Sequence, residues 1–323
     1  MLPKKRVAIL ILFLMIFSVH AGRTKLASWG FYAHREINRM AVFTLPPEMI
    51  GFYKKNILYL TEHAINPDRR RYVNKYEAPR HYIDFESYGN WDEINLIPKY
   101  WESAVDSLTE DTLMARGIAP WNIQRVSIQL TQAFLKQDLD GILRFSADLG
   151  HYIADAHVPL HTTENYNGQL TGQRGIHGLW ESRLPELYVG SYDFLVGRAV
   201  YIADTQQTAW DIVKGSHQLV EDVLDSEKVA TEEVGVSQKY SFEKRGQSTV
   251  RVYAEKFCYH YHAHLQGMVE KQMRGAIKRV GDYWFTCWVN AGQPDLSGLG
   301  KSGGGKSIIR LDSTIAGSHR PRK

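Results

Sequence analysis

Beyond Ser28 the apolar residues recur at helical spacing through most of the chain, and strand-like alternation is scarce. The spacing predicts helices over 33–45, 49–61, 94–108, 121–137 and 139–156. Pro46-Pro47 separates the first two and Pro159 ends the last. A short helix is expected over 177–187, and 192–224 and 250–289 are long periodic stretches. The polar, Pro-bearing stretch 66–84 and the Gly-rich stretch 165–175 are predicted as loops. No internal repeat is evident. The pattern predicts a mostly helical protein, and 323 residues are enough for one large domain or two ordinary ones.

Composition changes this picture mainly at the two ends. Lys4, Lys5 and Arg6 precede an apolar run over 8–19 that is short for a membrane span, and Ser18-Val19-His20-Ala21 offers a cleavage site after Ala21. Residues 1–21 are therefore expected to be a signal peptide of an exported protein, with an uncleaved anchor as the alternative. The Gly-Ser-Lys-rich stretch 298–323 has the composition of a disordered basic tail. The net charge of +4 comes from these ends. Residues 22–297 hold thirty basic against thirty-four acidic residues, a net −4, so the domain offers no general electrostatic argument for nucleic-acid binding. Cys258 and Cys287 are the only cysteines; one disulfide and two buried thiols are both compatible with their number.

Candidate chemistry is concentrated in HYIADAHVPLH and GIHGLWE. His151 and Asp155 are four apart, as are His177 and Glu181, so on helices each pair shares a face. With His161 they give five imidazole and carboxylate groups of the kind zinc binds, enough for more than one ion. Helical ion pairs and core histidines are the plainer reading of the same residues. His157 falls two residues from Asp155 and faces elsewhere on a helix. His260, His262 and His264 alternate inside an expected helix, which scatters them around its axis. His63 and His217 show no partners in the sequence.

The order of these residues resembles the zinc-dependent phospholipase C and single-strand-specific nuclease superfamily, over 29–181. Trp29-Gly30 with His34 five residues after the Trp, Asp68 in Asn-Pro-Asp-Arg-Arg-Arg, His81 in Arg-His-Tyr-Ile-Asp, and the central H-x3-D-x5-H of His151, Asp155 and His161 carry the resemblance, with His177 and Glu181 completing it. It implies an all-α fold, with a single helical domain over 22–297, and three zinc ions. Asp68, His81, His151 and Asp155 would hold one, His161, His177 and Glu181 the second, and Trp29, His34 and the bridging Asp155 the third. In the family the Trp ligand is the mature N-terminus. Cleavage after Ala21 leaves seven residues before Trp29, a departure from that pattern.

The resemblance further implies phosphodiester hydrolysis by a metal-bound hydroxide. Asp155 would hold the nucleophile, Asp68 would orient the water or take its proton, and Arg71 would add positive charge at the phosphate or be a solvated arginine. The substrate features divide. The Trp-Gly-x3-His, Asp-x2-Arg and His-Tyr-Ile-Asp motifs are similar to the nucleases, in which Asp84 would help bind a base; a backbone cap is its plainer role. The fifteen-residue gap between His161 and His177, Asn165 and the Glu at 181 are similar to the phospholipases. No acidic residue matches the choline-binding position, where Tyr32 stands. Tyr72, Tyr76, Tyr82 and Phe85 would suit lipid headgroups or stacked bases. The expectation is a phospholipase C-like monomer without choline specificity, acting on phospholipid or, alternatively, single-stranded nucleic acid, with no protein partner. A non-catalytic exported zinc-binding protein is the reading from another class.

Overall fold

A computed structural model describes residues 31–299. The expected signal peptide, Trp29 and the tail from residue 300 lie outside the described residues. The chain is predominantly helical, with one two-stranded antiparallel sheet among the described residues. Helices α1 (Phe31–Ala41), α2 (Pro47–Lys55), α3 (Ile57–His63), α4 (Ala119–Leu135) and α5 (Leu139–Ala156) are followed by α6 (Thr205–His217) and α7 (Val220–Val234). The hairpin β1 (Tyr240–Arg245) and β2 (Ser248–Tyr253) precedes α8 (Glu255–His264) and α9 (Met268–Asn290). No helix among the described residues is long and apolar enough to cross a membrane.

The core is built on α4, α5 and α9, which pack on one another, with α1 laid against α5 and α9. Their apolar faces bury large side chains such as Phe134, Ile153 and Trp284. Asp138 starts α5 by accepting the Gly141 amide at 3.1 Å, and Asp204 starts α6 through the Gln207 amide at 2.8 Å. The approach of α1 to α5 depends on Gly150. A β-carbon there would lie 2.0 Å from Asn38 Oδ1, while Asn38 Nδ2 donates to the Ala147 carbonyl at 3.1 Å. This contact brings the helix carrying His34 against the helix carrying His151.

Several expected elements differ. The stretch 49–61 is two helices broken at Asn56, and 94–108 is divided around Pro98 into Trp91–Asn95 and Trp101–Leu108. Residues 66–84 contain the short helix Asn66–Arg70 and the 3-10 turn Ala78–His81. The stretch 192–224 is not one helix: 192–204 is extended and lies along α9. There the Val200 amide donates to Asp282 Oδ1 at 2.8 Å and the Ile202 amide to Thr286 Oγ1 at 2.9 Å. Buried side chains of α9 thus take over backbone donors that a helix would have satisfied internally. The stretch 250–289 begins as strand β2 and breaks again at Gly267, which has φ +78°.

Candidate metal centre

Six short stretches converge on one buried cluster. His34 comes from α1, Asp68 from Asn66–Arg70, and His81 from Ala78–His81. His151 and Asp155 come from α5, His161 from the turn Pro159–His161, and His177 and Glu181 from a helix that begins at Ile176 and widens into a π turn over Leu179–Arg183. Such widened turns recur at functional sites.

Asp155 lies at the centre. Its Oδ2 is 2.7 Å from His81 Nδ1 and 3.1 Å from His151 Nε2; its Oδ1 is 3.4 Å from His34 Nε2 and 3.5 Å from His161 Nδ1. The His34 and His151 rings stack with centroids 4.1 Å apart. A second group forms beside it: His177 Nε2 is 2.6 Å from Glu181 Oε2 and 3.2 Å from His161 Nε2. Glu181 Oε1 is also 3.4 Å from His34 Nε2, which joins the two groups.

The donor chemistry fits metal ions. His151 Nδ1 donates to the Ala64 carbonyl at 2.8 Å and His161 Nδ1 to the His81 carbonyl at 2.7 Å. In their neutral forms both rings therefore present Nε2 as a bare acceptor to carboxylate oxygens, an arrangement that a shared cation stabilises. His34 Nδ1 and His81 Nε2 are buried without a hydrogen-bond partner. Burial pushes His81 down to about 4 against the pull of Asp155, which keeps the imidazole neutral as a ligand must be. Burial alone would raise the Asp155 carboxyl, but His151 and His161 hold it well below the carboxylate range. Glu181 is likewise kept ionised by His161 and His177 against its burial. Burial opposes a charge on His34, yet Asp155 and Glu181 raise it well above its ordinary value, so a proton and a metal ion compete for the same acceptors.

Four overlapping triplets have ligand atoms within 4.8 Å of one another: His81, His151 and Asp155; His161, His177 and Glu181; His34, Asp155 and Glu181; and His34, Asp68 and His151. Several buried groups are thus positioned to hold a metal. The partition differs from the expected one at Asp68, which groups with His34 and His151, although its Oδ1 is also 3.9 Å from His81 Nδ1. Glu181 also groups with His34 and Asp155. Arg71 Nη1 lies 3.4 Å from Asp68 Oδ1, and both residues line the cleft.

That cleft is a cavity of about 390 Å³ over the second group, walled by His161, His177 and Glu181 and by hairpin residues Arg251, Val252 and Tyr253. Asp84 is buried outside this wall, at the start of the turn Phe85–Tyr88, with its amide donating to the Arg116 carbonyl at 2.7 Å. Of the four aromatics expected at the substrate, Tyr72 and Tyr76 are exposed, whereas Tyr82 and Phe85 are core residues. Cys258 and Cys287 are buried free thiols, pushed up by burial to about 11 and about 12.

Behind His81 lies a network the sequence did not reveal. Arg70 grips Asp148 through both terminal nitrogens at 3.1 and 3.0 Å and reaches Tyr152 Oη at 3.2 Å. The Tyr152 hydroxyl donates to buried Glu77, whose Oε1 is 3.8 Å from His81 Nε2. His217, without a visible partner in sequence, shares a 3.1 Å contact with Thr162 Oγ1, next to His161. His260 and His264 both reach Glu233 Oε2, at 2.8 and 3.0 Å.

No protein-family model matches the chain, and no curated protein matches it.

Proposed function

We propose that this protein is an exported zinc-dependent hydrolase of phosphodiester bonds, of the phospholipase C type within the superfamily it resembles. One observation carries the reading: a single buried carboxylate, Asp155, has four imidazoles within 3.5 Å, and a second group of two histidines and a glutamate lies beside it at the floor of an open cleft. A bridging carboxylate between neighbouring ions is the arrangement that in-line phosphoryl chemistry uses.

The residues fit the expected zinc in donor type and outer hydrogen bonds, and burial keeps His81 neutral as a ligand. His151 and Asp155 would hold one ion with His81, and His161, His177 and Glu181 another. Bound zinc supplies a Lewis acid for a phosphoryl oxygen and lowers the pKa of water. The chain supplies orientation and proton handling. The Ala64 and His81 carbonyls fix the His151 and His161 rings. Asp68, on the cleft wall, accepts the proton of the attacking water at its carboxylate. Arg71, beside it, donates to a non-bridging phosphate oxygen.

The test uses the full chain loaded with zinc, assayed on bis(p-nitrophenyl) phosphate, on phosphatidyl substrates in mixed micelles and on single-stranded DNA. Diacylglycerol release supports the reading. Nucleotide release from DNA without diacylglycerol moves the substrate to nucleic acid. No hydrolysis of any of the three with zinc bound rejects the enzyme and leaves a zinc-binding protein.

A further inference from the structure

The cleft wall contributed by the hairpin carries a cation that the metal cluster does not use. Strands β1 and β2 pair Tyr240 with Tyr253 and Arg245 with Ser248 around the turn Gly246-Gln247. Residues 251 and 253 share one face of the strand, and Tyr240 lies across from Tyr253 on that face. The Arg251 guanidinium sits 3.6 Å above the Tyr240 ring and lines the cavity together with Asp68, His161 and Glu181.

Three arginines wall this cavity, and they are not equivalent. Arg183 is neutralised by Glu243 on the hairpin through both terminal nitrogens, one of them at 3.2 Å. Arg71 pairs with Asp68. Arg251 has the Tyr240 ring as its support, and among the described residues no carboxylate forms an ion pair with it. Stacking fixes the guanidinium plane while leaving its N–H edge free to donate.

The hairpin that carries Arg251 is held against the cleft at two points. Arg183 ties it to the turn that carries Glu181. Tyr253 Oη donates to the Arg174 carbonyl at 3.3 Å and lies 2.8 Å from where a β-carbon at Gly175 would stand. Gly175 has φ +101° and directly precedes the helix of His177, so the strand and that helix meet at a point only glycine permits.

We propose that Arg251 is an anion-recognition residue, and that the preferred substrate is a phosphodiester bearing a second phosphate close to the scissile one. This deepens, and rests on, the phosphodiesterase reading above. A single phosphodiester carries one negative charge, which the metal cluster would already meet. A stacked guanidinium on the hairpin wall, without a carboxylate partner among the described residues, matches a further dianionic group and disfavours a cationic headgroup such as choline.

Two substrate pairs, each differing by one phosphate, test it: p-nitrophenyl thymidine 5′-phosphate with and without a 3′-phosphate, and phosphatidylinositol with and without a 4-phosphate in mixed micelles. In whichever pair is hydrolysed, kcat/KM favours the phosphorylated member by about tenfold, the scale of one charge-assisted hydrogen bond. Arg251→Gln brings that ratio towards one, and Arg251→Lys retains part of it. The active pair tells a nucleotide from a lipid source. A preference for the unphosphorylated member, or a ratio that Arg251→Gln leaves intact, overturns the proposal. If neither pair is hydrolysed although zinc is bound, the phosphodiesterase reading fails by itself. Calorimetric titration of the zinc-loaded protein with inorganic pyrophosphate then decides on Arg251. A Kd about tenfold weaker in Arg251→Gln than in the wild type supports the anion site, and equal Kd values overturn it.

Discussion

His151 Nδ1 donates to the Ala64 carbonyl at 2.8 Å, so in the neutral ring it is the Nε2 lone pair that faces Asp155 Oδ2 at 3.1 Å. Two acceptors so close are stable when a cation lies between them or when one of them takes up a proton. The pair sits on consecutive turns of α5, which fixes its spacing, and the carbonyl of Ala64 fixes its tautomer. His151→Ala removes the acceptor and leaves Asp155 buried. We expect the variant to lose zinc and turnover together, as read by elemental analysis and a bis(p-nitrophenyl) phosphate assay. Full activity would remove His151 from the site.

Glu77 acts one step further out. It is fully buried, receives the Tyr152 hydroxyl, and stands 3.8 Å from His81 Nε2. Glu77→Gln keeps the shape but removes the charge that Arg70 and Arg80 share. Zinc affinity should fall by ~10–100-fold with helical content unchanged. Competition with a chromogenic chelator measures it, and an unaltered affinity would show that the network supports only the fold.

Gly150→Ala tests how α1 reaches the site. The new methyl would overlap the end of the Asn38 side chain, so that side chain must give up its place against α5 or helix α1 must shift, at a cost of about 1–3 kcal/mol. Because Asn38 lies one turn after His34, the His34–His151 stack should open and zinc affinity should drop with stability. Gly51→Ala is the contrast: nothing lies within 4 Å of a β-carbon there, on an exposed position of α2, and the change should raise stability by up to about 1 kcal/mol. Thermal unfolding of the two variants measures both effects.

His157 sets an acid limit on stability. Burial pushes it down to about 4, and its Nδ1 donates to the Ile153 carbonyl at 2.8 Å. The unfolded chain takes up this proton near pH 6.5, the folded chain only near 4. Between those values the unfolded state binds more protons, so stability falls as pH drops from about 6.5 to about 4 and levels below it. The loss reaches about 3 kcal/mol. Replacing His157 by Gln should flatten this limb in denaturant titrations across that range; an unchanged slope would assign it to other groups.

The chain's sequence made its ligand types and their helical pairs legible because i,i+4 spacing survives as a shared face whatever the helix packs against. His151 with Asp155 and His177 with Glu181 are read from spacing alone. Helix existence was legible for the same reason over α4 and α5. Partners distant in sequence were not: Glu77 with Tyr152, or His217 with Thr162, are joined only by packing. The extended run 192–204 reads as helical because its apolar residues serve contact with α9, while the side chains that satisfy its backbone, Asp282 and Thr286, lie eighty residues away. The hairpin was hidden by its charged residues. Gly246, with φ +59° at the first position of a two-residue turn beside Thr249, Val250 and Val252, was its one local signal.

We propose the cluster around Asp155 and Glu181 as a zinc centre with more than one ion. Elemental analysis of the purified protein after dialysis against trace zinc tests it most directly. Two or more zinc ions per chain are expected in the wild type and fewer in Asp155→Asn, whose side chain can no longer bridge. A chain that retains no zinc after zinc is added back, while remaining folded, would contradict it.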